Sequence, residues 1–121
     1  PINFMPKYFP PSDVSKASTI ILSIDDRQKQ NDISFLFLRQ MWVEEKDVGD
    51  ENNIREACNN LDLNFDQLLT VANTKIELYH SLAEKAAQFN VFGSPTYVVN
   101  KEIFWGQDRL GFLEEFVEKN L

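Results

Sequence analysis

Apolar residues recur three and four positions apart through residues 12–90 and then give way to a short β-branched and aromatic run, which predicts helices followed by strands. Ser12 or Asp13 can cap a first helix that buries Val14, Ala17, Ile21 and Ile24 and stops at Asp25-Asp26-Arg27. A second helix, from about Lys29 to Trp42, is apolar nearly all round (Ile33, Phe35, Leu36, Phe37, Leu38, Met41) and is expected to be buried by several neighbours. Asp50 caps a third, with Ile54, Ala57, Cys58 and Leu61 on one face. Two more starts read as capping-box pairs: Asn64 with Gln67 before Leu68, Leu69 and Val71, and Thr74 with Glu77 before Tyr79, Leu82, Ala83 and Ala86. Asn90 then suits a left-handed cap.

Gly93-Ser94-Pro95 runs straight into Thr96 to Val99, so the proline reads as the first residue of a strand, where its missing N–H is tolerated. Asn100-Lys101 make a tight turn into a second strand, Glu102 to Trp105, and the pair reads as an antiparallel hairpin. Gly106-Gln107-Asp108 precede Leu110, Leu113, Phe116, Val117 and Leu121 at helical spacing, so a helix is expected to begin close to Gln107. Pro1 to Pro11 holds four of the five prolines among bulky apolar residues and reads as an extended, packed segment.

Composition narrows the function. With 43% hydrophobic residues, ten of them phenylalanine, 121 residues can build the core of one domain or less. A net charge of −7 with no run of Lys or Arg argues against a nucleic-acid partner. The longest apolar runs fall far short of the ~20 residues of a membrane span. Cys58 is the only cysteine, so the chain holds no disulfide, CxxC pair or zinc cluster, and a reducing, cytoplasmic compartment is expected. Cys58 sits in an apolar stripe and reads as a small hydrophobe; His80, the only histidine, reads as a surface or boundary residue. Neither is given a catalytic role, and no metal site is expected.

Four segments carry a resemblance. Asn90-Val91-Phe92-Gly93-Ser94-Pro95-Thr96-Tyr97, Gly106-Gln107-Asp108-Arg109-Leu110, Met41 to Asp50 (M-W-V-E-E-K-D-V-G-D) and Tyr8-Phe9-Pro10-Pro11 stand in the order found in the 2-hydroxychromene-2-carboxylate isomerase family, which the chain resembles together with the related kappa-class glutathione transferases. The resemblance implies an α/β, thioredoxin-like fold of the DsbA type carrying a helical insertion, here mostly helical with one β-hairpin. The expected division is an extended segment over 1–11, a helical insertion over 12–90 and a β-β-α unit over 91–121. Family members open with a strand, a helix and a second strand and carry a serine just after the first strand; Pro1 to Lys7 is too short for such a unit. The chain is therefore expected to be the C-terminal two-thirds of a longer protein and inactive alone.

The resemblance also implies a ligand, glutathione. A cis Ser94-Pro95 bond would turn the Ser94 backbone N–H and C=O outward to pair with the peptide as a strand does; the plainer reading is a turn proline that starts a strand. Gln107 and Asp108, at a helix start, would take the γ-glutamyl end, with the backbone on its carboxylate and the Asp108 carboxylate on its ammonium. Arg109 can support that anion site or lie exposed. Phe9, Trp42 and Trp105 can line a pocket for a small aromatic substrate or simply be core. In the family reaction the glutathione thiolate adds to the unsaturated ring, the chromene opens, a bond rotates, and glutathione leaves. A DsbA-type thiol oxidoreductase, a kappa-class transferase and a non-catalytic binding module are the other readings. The strand Thr96 to Val99 is expected to present an uncovered edge that recruits a partner, a homodimer first of all.

Overall fold

The carboxylate of Asp13 accepts the Ser15 N–H at 2.8 Å and starts α1 (Val14–Leu22). Asp26 does the same for α2 (Arg27–Trp42), Asp50 for α3 (Glu51–Asn60) and Asn64 for α4 (Phe65–Ala72). Each side-chain oxygen satisfies one of the N–H groups a helix start leaves unpaired. The computed structural model describes residues 1–121, which divide into two units, residues 1–79 and 80–121.

In residues 1–79 the four helices close on a core of Ala17, Ile20, Ile24, Ile33, Phe37, Val48, Ile54, Ala57, Cys58, Phe65 and Ala72. Ile20, Ile33 and Ile54 are fully buried, each contributing about 1.5–3 kcal/mol over exposure. The α1 stripe differs from expectation: Ala17, Ile20 and Ile24 are inside, Ile21 is only partly covered, and Val14 is 49% exposed. The helix ends at Leu22, before the acidic pair, and Asp26 opens α2 instead. Helix α2 also departs from expectation. It buries Ile33, Phe37 and Gln40 along one stripe, whereas Phe35 and Leu38 are 64% and 58% exposed. The Gln30 amide closes the end of α1, donating to the Ile21 carbonyl at 3.3 Å and, just past the helix, to the Ile24 carbonyl at 2.7 Å.

Between α2 and α3, Asp47 organises a polar joint. Its Oδ1 accepts the N–H of Ser12 at 3.1 Å and of Gly49 at 2.9 Å, and its carbonyl accepts Asn53 Nδ2 at 2.8 Å. Gly49 lies so close to Ser12 and Asp13 that an added Cβ would meet the Asp13 backbone nitrogen at 2.5 Å. Gln40 Nε2 donates to the Asn53 carbonyl at 2.8 Å, crossing from α2 to α3. The proline-rich start is tied down by Asn3, whose N–H donates to the Trp42 carbonyl at 2.7 Å, and by Phe9, whose ring centroid lies 5.2 Å from that of Trp42.

Helix α5 (Ile76–Gln88) buries no side chain. The Thr74 hydroxyl, expected to cap it, donates backwards to the Val71 carbonyl at 2.7 Å. At its other end Asn90 takes φ +57°, the Val91 N–H reaches the Ala86 carbonyl and the Asn90 N–H the Ala87 carbonyl, both at 2.9 Å. This pair of bonds is the Schellman closure that a left-handed asparagine permits. Strands β1 (Thr96–Val99) and β2 (Glu102–Trp105) pair antiparallel with Thr96 opposite Trp105, and Asn100 and Lys101 both have positive φ. A short 3-10 turn (Gln107–Arg109) leads into α6 (Leu110–Asn120), which lies on β2 through Phe104 and Phe116, centroids 5.5 Å apart. No helix is long and apolar enough to cross a membrane.

Two predictions follow from these joints. Lys101 sits at φ +71°, so Lys101→Gly is expected to stabilise by about 0.5–1 kcal/mol, read as a raised thermal midpoint. Burial works to raise the Asp47 carboxyl, but the Ser12 and Gly49 hydrogen bonds outweigh it and hold it below its ordinary value. A carboxyl lowered in the folded state contributes stability above its unfolded pKa and loses it as pH falls through the folded value. Asp47→Ala should therefore cost about 1–2 kcal/mol at neutral pH, with the gap to the unsubstituted chain closing below the ordinary carboxylate range in denaturant titrations.

Candidate functional site

The expected site residues of the second unit come together around one backbone bond. The Ser94-Pro95 peptide is cis. The Gly106 N–H donates to the Pro95 carbonyl at 2.8 Å. Pro95 has no N–H to return, so the ladder ends there. Inter-strand bonding alternates along an antiparallel strand. Because Pro95 faces Gly106, Tyr97 and Val99 also bond toward β2, and the N–H and C=O groups of Thr96 and Val98 point to the opposite edge. The sheet has two strands, so that edge of β1 is unpaired. The exposed Ser94, one step before the proline, has no hydrogen bond to its backbone N–H or C=O within the chain.

Across the Pro95 bond lies the turn that starts the last helix. Gly106 has φ +97°, a conformation that favours glycine, and an added Cβ would meet Asp108 Oδ1 at 2.5 Å. The first helical bond is from the Arg109 N–H to the Gly106 carbonyl at 3.2 Å. The N–H groups of Gln107 and Asp108 precede it and stay free. Helical geometry thus begins at Gln107 as expected, as a 3-10 turn, with α6 proper starting at Leu110. Ser94, Trp105, Gly106, Gln107, Asp108 and Arg109 line one hollow of about 270 Å3. Trp105 walls it, lying against Gly93, where a Cβ would stand 2.5 Å from the indole Nε1.

Phe9 and Trp42 are in contact with each other within residues 1–79. Within residues 80–121, Trp105 lines the hollow with Ser94, Gln107 and Asp108 and packs tilted against Phe92, ring centroids 5.0 Å apart. Phe92, Gly93 and Gly106 were not among the expected site residues. For Gly106 the signal in the sequence was a glycine standing between the second strand and the Gln107-Asp108 helix start. Cys58 is completely buried in the helical core, and burial pushes its thiol up to about 11, so it is neither an exposed nucleophile nor a thiolate at neutral pH.

A free peptide edge, a turn with free N–H groups and a carboxylate, converging on one hollow, suit a short extended peptide with a charged amino-acid end. Comparison with known proteins places the chain in a family. The model of the DSBA-like thioredoxin domain matches residues 1–118. Over 80 residues the chain is 32% identical to the 2-hydroxychromene-2-carboxylate isomerase of Sphingobium xenophagum, a stretch covering 64% of this chain and 41% of that protein. The chain therefore spans less than half the length of that relative. No solved structure gives a significant match. With the family model covering nearly every residue, the chain belongs to the DSBA-like thioredoxin domain family.

Proposed function

We propose that this chain supplies the glutathione-holding part of an isomerase that acts on a small aromatic compound, as the name of its Sphingobium relative suggests. One observation carries the reading: the Gly106 to Pro95 bond brings the open edge at Ser94 and the Gln107-Asp108 turn into one hollow. Ser94 offers one N–H and one C=O, the pair an extended cysteinyl residue needs. The free N–H groups of Gln107 and Asp108 suit the γ-glutamyl carboxylate, and the exposed Asp108 carboxylate suits its ammonium. The donor set fits: each charged end of the tripeptide's γ-glutamyl group meets its opposite. Pro95 sets the direction of the strand and contributes no donor.

Bound glutathione would supply a thiol able to add reversibly to a conjugated ring and leave again. The residues of this chain bind and orient the peptide, and Trp105 shields one side of it from water. Cys58, buried in the helical core with its thiol pushed up to about 11, is not placed to exchange disulfides.

Calorimetric titration tests the reading. Glutathione is expected to bind the full chain, and cysteinylglycine, which lacks the γ-glutamyl group, to bind about tenfold or more weaker, as loss of a charge-assisted pair implies. Asp108→Ala should bring glutathione to the level of cysteinylglycine. Equal affinity for the two peptides, or no binding of either, would sink the proposal.

A further inference from the structure

The Thr96 hydroxyl reaches back three residues and donates to the Gly93 carbonyl. Thr96 is only partly buried, so water could have served that hydroxyl instead. The effect of the bond falls on the residue between. The Gly93-Ser94 peptide is trans, and in a planar trans peptide the C=O and the N–H point in opposite directions. Holding the Gly93 carbonyl toward Thr96 therefore aims the Ser94 N–H the other way, where it makes no hydrogen bond within the chain. Two further contacts fix this peptide plane. Thr96 stands opposite Trp105 in the ladder, in a non-hydrogen-bonded pair, the kind that brings facing side chains closest. Trp105 in turn lies against Gly93, where an added Cβ would stand 2.5 Å from the indole Nε1. Gly93 is thus held at its α-carbon by the indole and at its carbonyl by the hydroxyl.

We propose that Thr96 is a positioning residue of the peptide cradle, which acts through Ser94: by holding the Gly93 carbonyl it keeps the Ser94 N–H aimed at the acceptor of an extended ligand. Threonine suits the task. A β-branched side chain has few χ1 choices, so the paired strand itself sets the direction of the hydroxyl. The Gln107-Asp108 turn is fixed separately, through the Gly106 to Pro95 bond, so the two ends of the cradle are held by different means. The assignment rests on the glutathione reading for the identity of the ligand, and on the contacts of Gly93, Thr96 and Trp105 for its geometry.

The test compares Thr96→Val, which keeps the β-branched shape and removes the hydroxyl, with Thr96→Ser, which keeps the hydroxyl. In the ligand-free full chain, the NMR order parameter of the Ser94 amide is expected to fall from about 0.85 toward 0.6 or below in Thr96→Val and to recover in Thr96→Ser. Glutathione affinity should drop about three- to tenfold in Thr96→Val, the span one neutral hydrogen bond supplies, and return to within about twofold in Thr96→Ser. The ratio of glutathione to cysteinylglycine affinity should stay that of the unsubstituted chain, because the γ-glutamyl end is held elsewhere; a general loosening of the hollow would move it. Unchanged Ser94 order or unchanged glutathione affinity in Thr96→Val overturns the assignment. So does a loss that Thr96→Ser fails to repair, or a changed peptide ratio. If the unsubstituted chain binds neither peptide, the glutathione reading fails, and the Ser94 order parameter alone decides for or against Thr96.

Discussion

The single bond from the Gly106 N–H to the Pro95 carbonyl holds the second unit's chemistry together. It closes the hairpin one step beyond Trp105, sets which strand groups face inward and which face the open edge, and fixes the turn that begins the last helix. A proline at this point accepts but cannot donate. The ladder therefore ends in one direction only, and Ser94 is left with both backbone groups unspent beside the hollow. Moving the register by one residue would reverse every face of β1 and remove the free edge from the turn.

The two units divide the physical work. Every fully buried apolar side chain lies in residues 1–79, where four capped helices and the Asp47 joint make a conventional core. Residues 80–121 contain no fully buried side chain, and Phe92, Trp105 and Phe112 are each more than half exposed. The same residues carry the free backbone edge and the helix-start N–H groups.

Local chemistry was legible in the sequence and long-range packing was not. Asp13, Asp50 and Asn64 cap helices because a short side-chain oxygen needs only its own next few residues to act. Asn90 and the Asn100-Lys101 turn were legible for the same reason. The second helix was not, since apolar residues on all sides of a helix look alike whether neighbours or solvent cover them; Phe35 and Leu38 face outward. In the first helix Ile20 takes the inward place expected of Ile21, and Val14, in the first turn, stays half exposed. Asp47 carried a readable sign in Asp47-Val48-Gly49, an acid able to accept the N–H two residues on, but its bond to Ser12 spans the sequence and has no pattern. Of the candidate site, Ser94, Gln107 and Asp108 were expected from motif order and lie with Trp105 around one hollow. Phe9 and Trp42 contact each other within residues 1–79.

The most direct measurement of the central claim is a residue-resolved one: an amide NMR titration of the full chain with glutathione. The expected result is saturable shifts at Ser94, Gln107 and Asp108 with the resonances of the helical core in residues 14–72 unmoved. Saturable shifts confined to residues 1–79, or none at the highest glutathione concentration, would contradict it.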